Sequence, residues 1–132
     1  MKISKESPMT TWTREELDKL GAAEELALAL LQRDGTQRKP VTIWVVRLGD
    51  ELCVRSVNGR TSRWFRGAQG RHEGRISAGG VEKEVIFADA DPKLNDAIDA
   101  AYRDKYRRYQ TRIVDSIVSP EARSATMRLL PR

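Results

Sequence analysis

Between Val41 and Arg66 the chain reads VTIWVVRLGDELCVRSVNGRTSRWFR, and two tight-turn signals divide this span into three β-rich runs. Ile43 to Val46 is branched or aromatic throughout, Gly49-Asp50 marks a reversal, Leu52 to Val57 alternates, and Asn58-Gly59 is the strongest short-range hairpin signal. The first run is read as a strand over Val41 to Leu48, apolar on both faces until Arg47, as expected of a central strand in a closed sheet. Its neighbour runs from Glu51 to Val57. The third run, Ser62 to Phe65, is read as a strand followed by GAQGRHEG, whose glycines argue against regular structure.

The flanking segments complete a sheet and cover it. Residues 1–11 lack periodicity and read as a flexible leader, and residues 12–132 as one domain. Thr13 and Glu16 match a capping box, with Trp12 and Leu17 placed as a hydrophobic staple, so a short helix is expected from Arg14 to Ala22. Glu25 to Arg33 mixes helix formers with a period-two recurrence of Leu26, Leu28 and Leu30 and is read as a strand. Asp34-Gly35 makes a turn, and Pro40 ends the loop that follows. Arg75 to Ala78, Gly79-Gly80 and Val81 to Phe87 form a further hairpin. Asp91 and Pro92 open a helix whose stripe, Leu94, Ala97, Ile98, Ala101, Tyr102, Tyr106, Tyr109 and Ile113, runs for about five turns. Asp99 with Arg103 and Asp104 with Arg108 are spaced for i, i+4 pairs on its outer surface. Ser119-Pro120-Glu121 begins another helical turn, and Thr126 to Leu130 reads as a closing strand. The fold class is α+β: an antiparallel barrel of about six strands, with a leading short helix and a long C-terminal helix packed on it.

Charge narrows the function. The net charge of +5 is concentrated in residues 33–80, which hold ten basic and four acidic side chains. Of the basic residues 17 are Arg, whose planar fork suits phosphate and carboxylate. Arg38, Arg47, Arg55, Arg60, Arg63 and Arg66 all fall in this basic third, and a small anionic ligand is the reading they favour. Nucleic acid ranks last, because most aromatic residues lie in apolar runs rather than among the charges. One cysteine and one histidine offer no structural metal site, and no metal is expected. No stretch approaches the roughly 18 apolar residues of a membrane span and no signal peptide is evident, so a cytoplasmic location is expected.

Trp44 reads as core, as does Trp64 by default. Cys53 reads as a buried small hydrophobe, and His72 as a surface loop residue without a proton-transfer partner. Tyr102 and Tyr106 belong to the helical stripe, with their hydroxyls at the barrel rim, and Lys105 between them reads as solvated. Nothing in the sequence resembles a catalytic triad, a phosphate loop or a carboxylate dyad.

Several segments together resemble a bacterial family known only as a domain of unknown function (DUF2255). They are Trp12 before a short helix, RDG from Arg33 to Gly35, IWVVR from Ile43, LCVRS from Leu52, WFR from Trp64, GRISAGG from Gly74, AYRDKY from Ala101 and TMRLLP ending at Pro131. At one remove the layout is similar to the split β-barrel flavin-binding superfamily, which includes pyridoxamine phosphate oxidases and deazaflavin-dependent reductases. The resemblance implies a homodimeric split barrel that binds FMN or a deazaflavin, and, if it is an enzyme, a small oxidoreductase. It places Arg55 and Ser56 at the strand end that faces the cofactor phosphate, and Trp64 with Arg66 where the chain re-enters the site. The alternative is a noncatalytic dimeric barrel that binds another small anion or a protein.

Overall fold

The computed structural model describes residues 11–32, 36 and 38–132. The expected leader, apart from Thr11, and the Asp34-Gly35 turn lie outside the described residues.

Helix α1 (Arg14–Ala22) begins at the expected capping box: Thr13 Oγ1 accepts from the Glu16 amide, and the Glu16 carboxylate accepts from the Thr13 amide. Strands β1 (Leu26–Leu30), β2 (Val41–Ile43), β3 (Val45–Leu48), β4 (Glu51–Arg55), β5 (Glu73–Ala78), β6 (Val81–Asp89) and β7 (Thr126–Pro131) are all paired antiparallel, in the order β2-β1-β5-β6-β7-β4-β3. The two outermost strands are consecutive pieces of one extended segment. Val41 to Ile43 pairs with β1, and one residue later Val45 to Leu48 pairs with β4. The seven strands therefore form a nearly closed barrel, with Trp44 at the seam.

Period-two alternation assigns the two faces of the wall. Val45, Leu52 and Val54 point into the barrel core with Leu26, Leu28, Ile76, Phe87 and Met127. Val46 and Cys53 lie on the outer face, in a second cluster with Ile98 and Tyr102 of α3 (Asn95–Lys105), Tyr106 at its C-cap, and Val114 and Ile117 of α4 (Thr111–Ile117). Cys53 is a free, buried thiol, as its strand position suggested.

Four expectations need correction. The segment from Ser62 is not a strand followed by a loop: Arg63–Arg71 forms a helix, α2, with Phe65 and Ala68 buried one turn apart. Position 67 in this helix is a glycine because a Cβ there would overlap Leu30 Cδ1. His72 ends it in the left-handed conformation (φ 64°), and its amide donates to Ala68 O. Second, Asn58-Gly59 makes no hairpin. Gly59 takes a positive φ of 80°, as a primed turn would require, but the chain passes into a 3-10 turn over Gly59–Thr61 and on into α2. Third, the long helical stripe is interrupted after Lys105, resumes at Thr111, and is followed by the short α5 (Pro120–Arg123). Fourth, its i, i+4 ion pairs do not form. Asp99 pairs with Arg55 and Arg123, Arg103 with Asp115, Asp104 with Arg107, and Arg108 with Glu24.

Candidate functional site

The C-terminal end of β4 points Arg55 toward α3, because Arg55 shares the outer face with Cys53. Its guanidinium is buried, and each of its five donors is used. Nε bonds Thr126 Oγ1, Nη1 bonds the Asp99 carboxylate and Ile117 O, and Nη2 bonds Asn95 O and Oδ1. Arg55 thus ties three elements together and has no donor left for an external anion. Ser56, also buried, donates through Oγ to Ser62 Oγ at 2.7 Å. This occupies the hydroxyl at the N-cap of α2, which makes no capping bond of its own.

These residues floor a groove of about 330 Å³. Trp44 and Trp64 contribute aromatic surface; Thr42, Ser56, Asn58, Ser62 and Ser116 contribute polar groups; Ile43, Val57, Ile113 and Ile117 make apolar walls. Its size and mix of surfaces are those of a small-molecule site. Val57 and Ile113, the two large apolar residues that stand exposed among the described residues, both lie on it.

Trp64 also lines a second, smaller cavity of about 150 Å³, together with Arg38, Lys39, Arg63, Leu28, Leu30 and Val41. Among the described residues these three cations have no ion-pair partner, whereas Arg47, Arg75, Arg103, Arg108, Arg128 and Arg132 all do. The sequence-expected group is therefore divided. Arg55, Ser56 and Trp64 meet at the groove; Arg66 is exposed on α2 and lies outside both cavities. Arg38, Lys39 and Arg63 were not singled out as a site by sequence reasoning. The regional charge excess was the available signal, but only the fold shows which cations remain unpaired and share one cavity.

Trp44 is half-buried rather than core. Its ring stacks on Tyr106 at 3.8 Å between centroids and 3° between planes, with Tyr109 edge-on at 5.0 Å. Lys105 is not solvated either. Its Nζ donates to Val45 O at 2.6 Å, and burial pulls its pKa down to about 8. His72 is exposed, as expected. Among the described residues no group of three or more His, Cys, Asp or Glu side chains could hold a metal ion, and no helix is long and apolar enough to cross a membrane.

The family model of an uncharacterized protein conserved in bacteria (DUF2255) matches residues 16–129. The chain belongs to this family. No curated protein matches it in sequence. Among solved structures it is similar to the conserved hypothetical protein Rv2991 of Mycobacterium tuberculosis, with a TM-score of 0.68 and 13% identity over 94% of this chain and 83% of that one. HutZ, the heme storage protein of Vibrio cholerae, gives 0.64 and 13% over 90% and 89%, respectively. An F420 reductase gives 0.54 and 17% over 87% and 90%. At these identities the likeness establishes the split-barrel fold that the DUF2255 chain shares with them.

Proposed function

We propose that the groove binds the ring of a flavin or deazaflavin cofactor and that the Arg38–Lys39–Arg63 cavity holds the anionic end of the same molecule. The observation that carries this reading is the position of Trp64, which borders both cavities, one apolar and hydroxyl-lined, the other cationic. A ligand with a planar ring and a phosphate on a flexible arm meets both in one span. The fold is shared with a protein named as an F420 reductase, which supports the same ligand class.

Within this reading Trp44 and Trp64 offer faces for ring stacking, and Ser56, Ser62 and Asn58 offer hydrogen bonds to ring heteroatoms. Arg55 holds the floor rigid from beneath, and Arg66 adds only to the surrounding positive field. A bound flavin or deazaflavin would supply hydride-transfer chemistry, and the protein would then be a small oxidoreductase. The exposed Val57 and Ile113 on the groove rim suit coverage by a second copy, consistent with a homodimer, and a cytoplasmic location fits such a role.

Titration with FMN and with a deazaflavin, read by ligand absorbance and tryptophan quenching, tests the proposal. Saturable binding of either at micromolar concentration, weakened when the phosphate is absent as in riboflavin, is the expected result. No binding of any of them at high micromolar concentration would overturn it.

A further inference from the structure

We propose that Tyr106 is a positioning residue that sets the ligand-facing plane of Trp44 by stapling the barrel seam behind it; this rests on the groove reading given above. The seam lies where the extended segment leaves β1 for β4, and there the β1 ladder has ended. Leu26 is the last β1 partner, opposite Ile43. Val45, two residues on, pairs with Val54 on one side and, among the described residues, has no strand on the other.

Side chains from the end of α3 take the place of that strand. The Val45 amide donates to Tyr106 Oη at 3.3 Å, and Tyr106 Oη lies 2.8 Å from Glu24 O and 3.2 Å from Val45 O. A phenol has one proton to give. Lys105 Nζ already donates to Val45 O at 2.6 Å, so the Tyr106 proton goes to Glu24 O. One oxygen atom thus links Glu24, two residues before Leu26, to Val45, the residue after Trp44, across the gap between the two ends of the sheet.

The same phenol ring lies flat against Trp44, so the seam and the groove wall are parts of one unit. Tyr106 is buried, and its hydroxyl is anchored to main chain on both sides of the gap, so the ring has a single seat. Trp44, only half-buried and between strands, takes its orientation from that seat.

The variant Tyr106→Phe keeps the ring and removes the staple, and its effect should be read in two ways. In a 15N-correlated spectrum of the unliganded protein, the indole signal of Trp44, assigned with Trp44→Phe, should shift and broaden while those of Trp12 and Trp64 hold. In FMN titration, affinity should fall by about three- to tenfold, the size expected when one hydrogen-bonded link is lost. Lys105→Met removes the companion bond, leaves the ring pair whole, and should give a smaller change of the same sign; it stands in if Tyr106→Phe does not fold. A single, unshifted Trp44 signal in these variants overturns the positioning role whether or not FMN binds. Failure of the unaltered protein to bind FMN or a deazaflavin overturns the groove reading instead and leaves the spectrum to decide the role of Tyr106.

Discussion

Arg55 and Asp99 form an ion pair in which the guanidinium is wholly buried and the carboxylate is 19% exposed, so strand β4 and helix α3 are joined by charge inside the wall of the protein. Arg55→Met should destabilise the fold by about 3 kcal/mol, because it leaves Asp99 with only the more distant Arg123 for a partner and strips the buried acceptors Thr126, Asn95 and Ile117 O of their donor. Urea unfolding measures this. A loss below about 1 kcal/mol would show that the pair is dispensable.

The cations inside and outside the small cavity should behave differently toward ligand. Arg63→Ala and Lys39→Ala are expected to weaken FMN binding by about tenfold each and to flatten its salt dependence, since each removes a charge that faces the small cavity. Arg66→Ala, outside both cavities, should change affinity less than about twofold. Isothermal titration at two salt concentrations separates these cases. Equal losses from Arg63 and Arg66 would mean that a diffuse surface field, rather than a cavity, holds the anion.

Among the buried groups that titrate in alkali, Cys53 and Lys105 should act with opposite signs. Burial, helped by the nearby Glu51 charge, raises the Cys53 thiol from its usual 9.0 to about 11. The unfolded chain therefore loses this proton first, and stability falls as pH climbs from about 9 to 11. Lys105 is lowered from 10.5 to about 8 by burial, against the opposing pull of Glu24. The folded chain loses that proton first, and stability rises between about 8 and 10.5. Urea midpoints at pH 7.5 and 10.5 should show a smaller alkaline loss for Cys53→Ala and a larger one for Lys105→Met.

Gly67→Ala improves helix propensity but sets a methyl inside van der Waals contact with Leu30 Cδ1. Crowding should outweigh propensity and destabilise by about 1 to 3 kcal/mol. Leu30→Ala in the same chain should recover part of this, so the double variant is less harmed than the sum of the singles. Additive losses in thermal unfolding would place the conflict elsewhere.

Features determined locally could be read in advance. The capping box at Thr13, the period of Leu26 to Leu30, and the turns at Gly49 and Gly79 all depend on residues a few positions apart. What was misread depended on partners far along the chain. Gly67 and Gly70 made α2 look irregular, yet Gly67 answers to Leu30, and the helical signal that remained was Phe65 and Ala68 one turn apart. Asp99 and Arg103 had the right spacing for each other but found Arg55 and Asp115. In the site, Ser56 and Trp64 were legible as the end of a strand and the aromatic beyond it. Arg55 could have been placed by counting faces from Cys53, whereas the pairing state of Arg38, Lys39 and Arg63 depends on the whole surface.

The passage of one extended segment from β2 into β3 also bears on how the chain assembles. Each end of the sheet is one short piece of that segment, three residues in β2 and four in β3, so little bare edge is offered for another molecule to extend, which guards against strand-by-strand aggregation once the barrel is shut. That protection arrives late. The β4–β7 pairing joins residues such as Cys53 and Arg128, and β1–β5 joins Leu28 and Ile76, so the rim closes only after distant parts of the chain have met. A permuted chain with new termini at Trp44 would keep every strand but lose the continuity that holds the rim together, and would be expected to fold to an openable sheet that self-associates.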